Sequence, residues 1–591
     1  MYEYRAPRRD MQFVLHEVLE AERVLAGLGR SEVNRELIDS ILDEGARFTE
    51  TVTSPLNWQG DWAGPRLEDG RVVTPPGFRA AYQQFCRDGW AGMAGDTQIG
   101  GQGLPGLANI GISEMLCSSA MAWRMCSGLS EGAVLALTLH ASEELKSSYL
   151  ARMVTGEWTS TMCLTEPQAG TDLGILRTRA EPQADGSFLV NGTKIFISWG
   201  EHDMADNIVH LVLARLPDAA PGTKGLSLLL VPKLLDGQPN GVGCVSIENK
   251  MGIHGSPTCV LAFENARGWI VGTPGGGLAC MFTMMNHARL GVGLQGLGLS
   301  ERALQAAVSF AFERRQGRAA RRPVAQDKNA DPIVAHADVR RMLLTIKAQA
   351  EGQRLLAYYA YMLQDIEHGA ADAAERQRAS NLVALLVPIV KSLLTDTAME
   401  TTSLAVQVHG GAGFIRETGV EQYLRDAKIA CIYEGTNGIQ ALDLLGRKVL
   451  GTGGAYVQLM AAEIAASLAT PLPAELQAFG AQLQALVGEW AELTRLVGDR
   501  VAKDADELGA VATDYLNYAG YLLVGWCWLR MARVASERLA AGSSERGFYE
   551  GKLAAARFYF ARLLPRTAAF AAGVRAGGAS LPSLARQHFA G

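Results

Sequence analysis

Apolar residues recur at helical spacing in the first part of the chain. In EGAVLALTLHASEELKSSYLARM, residues 131–153, they return every three or four positions, which is typical of an amphipathic helix. The pattern predicts a mostly helical segment over residues 1–160. A Gly- and Pro-rich cluster, GQGLPGLAN at 101–109, interrupts it and predicts a loop that packs closely against another surface.

The period of the pattern changes to two between residues 161 and 270. Short runs rich in β-formers, among them NIVHLVLARL, GLSLLLVP, VGCVSIEN and TCVLAFEN, alternate with Pro, Gly, Asp and Asn. Asn191 and Gly192 stand between FLV and TKIFIS, and Asn-Gly between apolar runs predicts a hairpin turn. The segment predicts a small antiparallel β-barrel or sandwich.

Helical spacing returns after Gly275 and continues to about residue 450. A glycine-rich stretch, LGTGGAY, then introduces about 140 Ala-rich residues with a helical pattern. The fold class predicted is therefore α+β. We expect an N-terminal helical domain at 1–160, a central β domain at 161–278, a helical bundle at 279–451 and a C-terminal helical extension at 452–591.

Composition and charge narrow the choice of partners and compartment. The 591 residues carry a formal charge of −6, which gives no general reason to bind nucleic acid. Nine scattered cysteines contain no CxxC pair, which argues against a disulfide framework or a metal site. The apolar runs are about half as long as a membrane span, and no signal peptide is visible. We expect a cytoplasmic protein without a membrane span.

One group of glycines matches the sequence motif of dinucleotide-binding sites. Gly291, Gly293 and Gly296 match GxGxxG, but the dinucleotide motif requires a preceding strand, and the residues before it, MFTMMNHAR, have a helical pattern. We interpret these glycines as sites of close helix packing.

Glu434 is the strongest candidate for acid–base chemistry. It lies between the apolar run IACIY and the flexible GTNG, an arrangement that favours a carboxylate in a dry pocket. Desolvation raises the pKa of a carboxylate and makes it a stronger base toward a weak carbon acid. A helix-capping glutamate is the structural alternative.

Three stretches together resemble the signatures of the acyl-CoA dehydrogenase family: MCLTEPQAGTDLG at 162, KIFISWGEHD at 194 and QVHGGAGFIRETGVEQYLRDAKIACIYEGTNGIQ at 407. They occur in the family's order over about residues 80–450. The opening YRAPRRDMQFVLHEVL, the run NKMGIHGSPTCVLAFENARGWIVG, the segment MFTMMNHARLGVGLQGLG and the C-terminal extension further resemble a long bacterial branch that includes a member acting on 3-methylthiopropionyl-CoA.

The resemblance implies a reaction and a cofactor. Family members remove a proton from the α-carbon of an acyl-CoA thioester and transfer hydride from the β-carbon to N5 of FAD, which leaves a trans-2-enoyl-CoA. Glu434 matches the catalytic base. The expected substrate is 3-methylthiopropionyl-CoA or another short-to-medium acyl-CoA, and longer fatty acyl-CoA is the alternative.

The resemblance also assigns binding residues. The substrate contacts expected are Thr171, Asn286, Arg289, Tyr433 and Gly435. The FAD contacts expected are Met162, Leu164, Thr165, Gly170, Thr171, Phe196, Ser198, Arg314, Gln316, Gln407, Gly410, Gly411, Thr436 and Gln440.

Some of these assignments have structural alternatives. Gly317 stands where the family usually has an aromatic residue, which departs from the family pattern beside Arg314. Arg289 has an internal salt bridge as its alternative, and we interpret His409 as structural. The basic cluster that contains Arg314 is equally consistent with a solvated helix end; its members are Arg314, Arg315, Arg318, Arg321 and Arg322.

The resemblance implies an electron-transfer flavoprotein as acceptor and a homodimer, in which the extension covers surface that shorter members bury in a tetramer. Two other functions share the fold: an acyl-CoA oxidase that uses oxygen, and a DNA-associated flavoprotein. Glu434 and the negative charge argue against the latter.

Overall fold

The computed structural model describes residues 2–320 and 329–589. Two compact units can be distinguished. Unit 1 comprises Met1–Tyr2, Pro7–Leu42 and Val292–Gly591, and unit 2 comprises Glu3–Ala6 and Asp43–Gly291. Helices, then strands, then helices follow along the chain, which confirms the predicted α+β class.

Helices dominate the chain before the sheet, as the apolar spacing predicts. They are α1 (Arg8–Gln12), α2 (Ala21–Gly27), α3 (Arg35–Phe48), α4 (Ser54–Ala63), α5 (Phe78–Arg87), α6 (Gly106–His140) and α7 (Glu143–Val154). The start of α7 follows from its sequence, because the Ser142 side chain accepts a hydrogen bond from the amide of Leu145 and caps the helix.

The strands lie in unit 2 and form one seven-stranded sheet and two two-stranded sheets, β1-β2 and β8-β9. They are β1 (Arg66–Glu68), β2 (Arg71–Val73), β3 (Trp158–Cys163), β4 (Arg179–Pro182), β5 (Phe188–Ser198), β6 (Asn207–Arg215), β7 (Leu226–Pro232), β8 (Leu234–Leu235), β9 (Gln238–Pro239), β10 (Val242–Ile247) and β11 (Thr258–Val271). The main sheet has the order β10-β11-β5-β4-β6-β3. Because β7 pairs with both β11 and β6, these strands close into a small barrel. Pairing is mostly antiparallel, as predicted, whereas β3 and β4 pair with β6 in parallel.

The hairpin predicted at Asn191 and Gly192 is wrong. Strand β5 runs without a turn through both residues, and the register to β11 shifts beside them. The Asn191 side chain exchanges hydrogen bonds with Asn265, at 2.9 and 3.1 Å. A Cβ on Gly192 would lie 2.5 Å from the Thr178 hydroxyl. Close approach of the neighbouring strand therefore explains the glycine, and a β-bulge explains the pair.

The remaining helices follow the sheet. They are α8 (Gly277–Glu313), α9 (Ala337–Gly369), α10 (Ala373–His409), α11 (Val420–Ala430), α12 (Asn437–Leu442), α13 (Ala455–Ala469), α14 (Gln477–Val501), α15 (Asp506–Ala540), α16 (Arg546–Phe558) and α17 (Thr567–Ala576). Among the described residues, the segment Ala373–Phe414 is long and apolar enough to cross a membrane, but its most apolar stretch is 83% buried inside the protein. Such burial is typical of a core helix.

Glycines allow α8 to lie close against α10 in unit 1. A Cβ on Gly293 would lie 2.7 Å from the Val390 side chain, and one on Gly296 would lie 2.5 Å from the Leu394 carbonyl oxygen. The interpretation of these two glycines as helix-packing sites is confirmed. Gly291, by contrast, has no atom within 4 Å of its Cβ position.

The C-terminal extension packs into the core of unit 1. The Trp528 indole of α15 donates to the Ala348 carbonyl of α9 at 2.9 Å, and Gly352 of α9 leaves room for the same ring. Gly520 of α15 lies against the Leu393 side chain of α10. The extension and the helical bundle therefore share one core.

Two buried histidines make the stability of unit 2 depend on pH. The His202 ring nitrogen Nε2 shares a hydrogen bond with the Thr159 hydroxyl at 2.8 Å, and the His210 Nδ1 shares one with the Thr161 hydroxyl at 2.7 Å. Burial lowers the pKa of each histidine to about 3. Because the folded-state pKa is depressed, unfolding takes up protons below about pH 6.5, and stability is lost as the pH falls from there toward 3.

We expect unit 2 to lose about 4 kcal/mol of unfolding free energy between pH 7.5 and pH 5, about 2 kcal/mol from each histidine. Urea unfolding at the two pH values measures it. The variant combining His202→Gln and His210→Gln should lose much less over this interval, and the exposed control His588→Gln should behave as the wild type. An equal loss in the double variant would contradict this origin of the pH dependence.

Candidate active site

Strand β3 and the loop after it carry the first group of predicted site residues. Met162 is half-buried on β3, Leu164 is buried, and Thr165 is half-buried just beyond the strand. The amide of Ile195 donates to the Thr165 carbonyl at 2.9 Å, which holds the loop beside β5. Gly170 and Thr171 lie exposed further along the same loop.

Strand β5 presents an aromatic ring to the exterior of unit 2. Phe196 is 59% exposed and has a φ of +58°, a left-handed conformation that costs a residue other than glycine about 1–2 kcal/mol. Ser198 is half-buried two residues later. Backbone strain of this kind clusters at binding sites, and the exposed ring offers a face for stacking against a planar ligand.

A buried ion pair that the sequence analysis missed joins these two elements. The Lys194 ammonium of β5 is completely buried and donates to the Glu166 carboxylate and to the Leu164 carbonyl, both at 2.9 Å. Burial opposes ionisation of Glu166, but the charge of Lys194 and hydrogen bonds from Thr178 and Arg177 outweigh it and lower the pKa of Glu166 to about 2. The pair fixes the loop after β3 to β5.

The start of α8 carries the residues predicted to hold CoA. Asn286 is exposed, whereas Arg289 is only 5% exposed and donates to the Asn286 carboxamide at 3.2 Å. A guanidinium so buried is poorly placed to meet a solvated phosphate, and it supports the helix that presents Asn286. The CoA role of Arg289 stays a prediction.

Glu434 lies in a strained turn between α11 and α12 in unit 1. Its φ is +58°, and Gly435 follows with a φ of +84°. The Glu434 side chain is half-buried. The Gln440 side chain donates to the carbonyls of Glu434 and Gly435, at 3.1 and 3.3 Å. Backbone strain of this kind persists only where the surroundings enforce it and clusters at functional sites, so the turn marks Glu434 as a candidate functional residue.

The capping role considered for Glu434 belongs to Thr436 instead. The Thr436 hydroxyl accepts from the amide of Ile439 at 3.4 Å, at the start of α12. Tyr433, on the other side of the base, donates its phenol proton to the Gln295 side chain of α8. The side-chain cap at the start of α12 therefore comes from Thr436, and the neighbours of Glu434 on both sides are fixed.

The remaining predicted FAD contacts in unit 1 lie at the surface. Arg314 and Gln316 follow α8 and are exposed, as are Gln407 at the end of α10 and the glycines after it, Gly410 and Gly411. No atom lies within 4 Å of a Cβ position on either glycine, so their backbone is open to a ligand.

The other basic residues near Arg314 differ from it. Arg315 donates to the Ala330 carbonyl, and Arg318 pairs with the buried Asp331 at 3.4 Å. Arg321 and Arg322 lie outside the described residues. Among the described residues, the Arg314 side chain makes no hydrogen bond or ion pair with the loop, unlike those of Arg315 and Arg318.

The interpretation of His409 as structural agrees with its surroundings. Its ring is 3% exposed, stacks on Phe310 with the centroids 4.4 Å apart, and bonds to the Ala405 carbonyl at 2.7 Å. Burial lowers the pKa of His409, so the ring is neutral at physiological pH.

Comparison with known families decides the assignment. Family models match the chain consecutively: the acyl-CoA dehydrogenase N-terminal domain at 46–157, the middle domain at 161–266 and the C-terminal domain at 275–450. The chain belongs to the acyl-CoA dehydrogenase family. A further model, described as acetyl-CoA dehydrogenase C-terminal like, matches the extension at 459–585.

Individual relatives match over nearly the whole length. The chain is 43% identical to 3-methylmercaptopropionyl-CoA dehydrogenase of Ruegeria pomeroyi, over 95% of this chain and 96% of the relative. It is 36% identical to the broad-specificity linear acyl-CoA dehydrogenase FadE5 of Mycobacterium tuberculosis, over 96% of each. The FAD complex of an acyl-CoA dehydrogenase from Bacillus anthracis is similar in fold, with a TM-score of 0.73, 21% identity and coverage of 92% of this chain and 88% of that one.

As a member of this family, the chain is an oxidoreductase that acts on CH–CH bonds, and FAD is the family's cofactor. Each unit, taken by itself, has residues that suit such a cofactor. Phe196 offers an exposed aromatic face, Gly410 and Gly411 leave their backbone open, and Arg314 is an exposed cation. Within the described residues, the Oε1 atom of Gln440 is buried without a hydrogen-bond partner, an acceptor that a bound ligand can satisfy.

Proposed function

We propose that this acyl-CoA dehydrogenase converts 3-methylthiopropionyl-CoA, or another short-to-medium acyl-CoA, into its trans-2-enoyl-CoA, with Glu434 as the base. The observation that carries the proposal is the left-handed turn that presents Glu434, fixed on both sides by Tyr433 and Gln440. The high identity to the Ruegeria relative supports the choice of acyl group, and the similarity to FadE5 supports longer linear acyl groups as the alternative.

In the proposed reaction, the Glu434 carboxylate removes a proton from the α-carbon of the thioester and becomes a carboxylic acid. The backbone amide of Glu434 donates to the thioester carbonyl, which stabilises the negative charge that develops there. FAD, when bound, would supply the acceptor for the hydride that leaves the β-carbon. Of the two hydrogens lost from the substrate, Glu434 takes the one that leaves as a proton.

The other residues of the site bind and orient. We assign Phe196 to stacking against the flavin ring, and Thr165 and Ser198 to hydrogen bonds with its edge. Arg314 is suited to a diphosphate because a guanidinium gives charge-assisted hydrogen bonds to phosphate oxygens. The Lys194–Glu166 pair holds β5 and the loop after β3, which carry Phe196, Ser198 and Thr165.

We further propose an electron-transfer flavoprotein as the electron acceptor, a homodimer as the assembly and the cytoplasm as the location. The shared core of the extension and the bundle supports the dimer, because the extension covers surface of the bundle that would otherwise be available to further subunits. The negative net charge gives no support for a nucleic-acid partner.

A product assay tests the proposal. The purified flavoprotein, mixed with 3-methylthiopropionyl-CoA and an artificial electron acceptor without oxygen, should yield a CoA ester that has lost two hydrogen atoms, as mass spectrometry detects. Butyryl-CoA and palmitoyl-CoA serve as the comparison substrates. Hydrogen peroxide produced in air at the rate of substrate consumption would identify an oxidase instead, and no product from any ester would refute the dehydrogenase.

A further inference from the structure

The base of the proposed reaction lies on a turn that needs external support. Both Glu434 and Gly435 have left-handed backbone conformations, and only the glycine adopts such a conformation without strain. If the turn relaxed toward the right-handed region, the Glu434 carboxylate would change direction. The contacts that prevent this relaxation therefore control where the carboxylate lies.

Asn437, three residues after the base, ties the turn to α10. Its amide donates to the Cys431 carbonyl at 3.1 Å and closes the loop across the base. Its side chain accepts from the Lys391 ammonium at 2.7 Å and donates to the Asp396 carboxylate at 2.7 Å and the Thr395 hydroxyl at 2.9 Å. One asparagine thus joins both ends of the turn to a neighbouring helix.

The helix side of this contact is buried and charged. Lys391 is completely buried within the apolar run LLVPIVKSLL of α10, a setting in which an ammonium is rare unless it is paired. Its hydrogen bond to Asn437 is charge-assisted and therefore stronger than one between neutral groups. Since α10 is the core helix of unit 1, the turn is fixed to a rigid element.

We propose that Lys391 and Asn437 are positioning residues for Glu434: they hold the left-handed turn so that its carboxylate meets the α-carbon of the substrate. The proposal rests on the proposed function, because it assigns the role of these residues through the base. Neither residue exchanges a proton with the substrate. Their loss should slow proton removal and leave substrate binding nearly unchanged, since a misplaced reacting group costs rate rather than affinity.

The alternative is that the contact only stabilises the fold. A purely structural contact would change the amount of folded protein but not the rate of proton removal by each folded molecule. The readout is therefore the rate of α-hydrogen exchange for each bound flavin, measured in the holoenzyme.

Methylthioacetyl-CoA serves as the probe. Sulfur replaces its β-carbon, so the α-proton can leave but no β-hydride exists, and oxidation of the probe cannot follow. In D₂O, deuterium then enters the α-carbon at the rate at which the base removes and returns the proton, and mass spectrometry measures it.

We expect Lys391→Met and Asn437→Ala to slow this exchange about 10- to 100-fold, with the dissociation constant of the probe changed less than about threefold. Thr402→Val is the matched control: Thr402 is a buried hydroxyl of the same helix that bonds only within α10 in the described structure, and its variant should exchange within about twofold of the wild type. If Lys391→Met does not fold, Asn437→Ala decides, because it leaves α10 unchanged.

The outcomes separate this proposal from the function on which it rests. Exchange at the wild-type rate in Asn437→Ala, or a change confined to the dissociation constant, would overturn the positioning role. If the wild-type holoenzyme itself exchanged no α-hydrogen, the proposed dehydrogenase reaction would fail instead.

Discussion

Replacing Glu434 with glutamine is expected to lower kcat by a factor of about 10²–10⁴, the range that a general base contributes. The carboxamide has nearly the same shape as the carboxylate but cannot accept the α-proton. Because the side chain is half-buried and lies on a fixed turn, a water molecule cannot efficiently take over its role as the base. Anaerobic mixing with acyl-CoA, followed by the bleaching of the flavin absorbance, measures the effect.

Two controls restrict the interpretation of this variant. Glu434→Gln should retain its bound flavin and its unfolding temperature, because glutamine matches glutamate in size and the main-chain carbonyl of residue 434 still accepts from Gln440. Glu375→Gln, an exposed glutamate in the first turn of α10, should have wild-type activity. A Glu434→Gln enzyme that kept a tenth or more of the wild-type kcat would rule out Glu434 as the base.

Replacing Lys552 with methionine is expected to lower the unfolding free energy of unit 1 by about 3–5 kcal/mol, the usual cost of removing one partner from a buried ion pair. Lys552 of α16 pairs with Asp10 of α1 and, at 2.9 Å, with Glu351 of α9. Burial opposes ionisation of Asp10, but the charges of Lys552 and Arg354 outweigh it and lower the pKa of Asp10 to about 2. In the variant, the carboxylates of Asp10 and Glu351 would each lose the ion pair with Lys552.

Urea unfolding at neutral pH measures this loss. Arg546→Met is the control, because Arg546 and Glu550 form an exposed pair within α16, and such surface pairs contribute at most about 1 kcal/mol. If Lys552→Met were destabilised no more than Arg546→Met, the buried network would not be what joins the C-terminal extension to the N-terminal helix.

The fold could be predicted where the apolar pattern is strong and local. Strands β6 and β7 coincide with continuous apolar runs because they are buried on both faces. Gly293 and Gly296 could be assigned to helix packing because their surroundings have a helical pattern. The Asn-Gly pair failed as a hairpin signal, since the requirement for glycine comes from Thr178, the residue just before β4, which local sequence does not reveal.

The candidate site could be predicted only in part, because many of its contacts join residues that are distant in the sequence. Glu434 stands out by its position between an apolar run and a flexible one, and the family signatures add its neighbours. Lys391 is as visible, a single cation in an apolar run, and Lys194 directly precedes the apolar IFI. Their partners, however, lie 46 and 28 residues away. The pair of Lys552 and Asp10 spans 542 residues, so only the folded chain brings these groups together. The domain boundaries and the roles of individual binding residues stay predictions.

The most direct test of the account is a crystal structure of the Glu434→Gln holoenzyme with FAD and 3-methylthiopropionyl-CoA, in which the slow variant preserves the substrate. We predict that a side-chain atom of residue 434 lies about 3–3.5 Å from the substrate α-carbon, the separation of groups poised to react. A side chain that points into solvent, with another carboxylate beside the α-carbon, would contradict the assignment of Glu434 as the base.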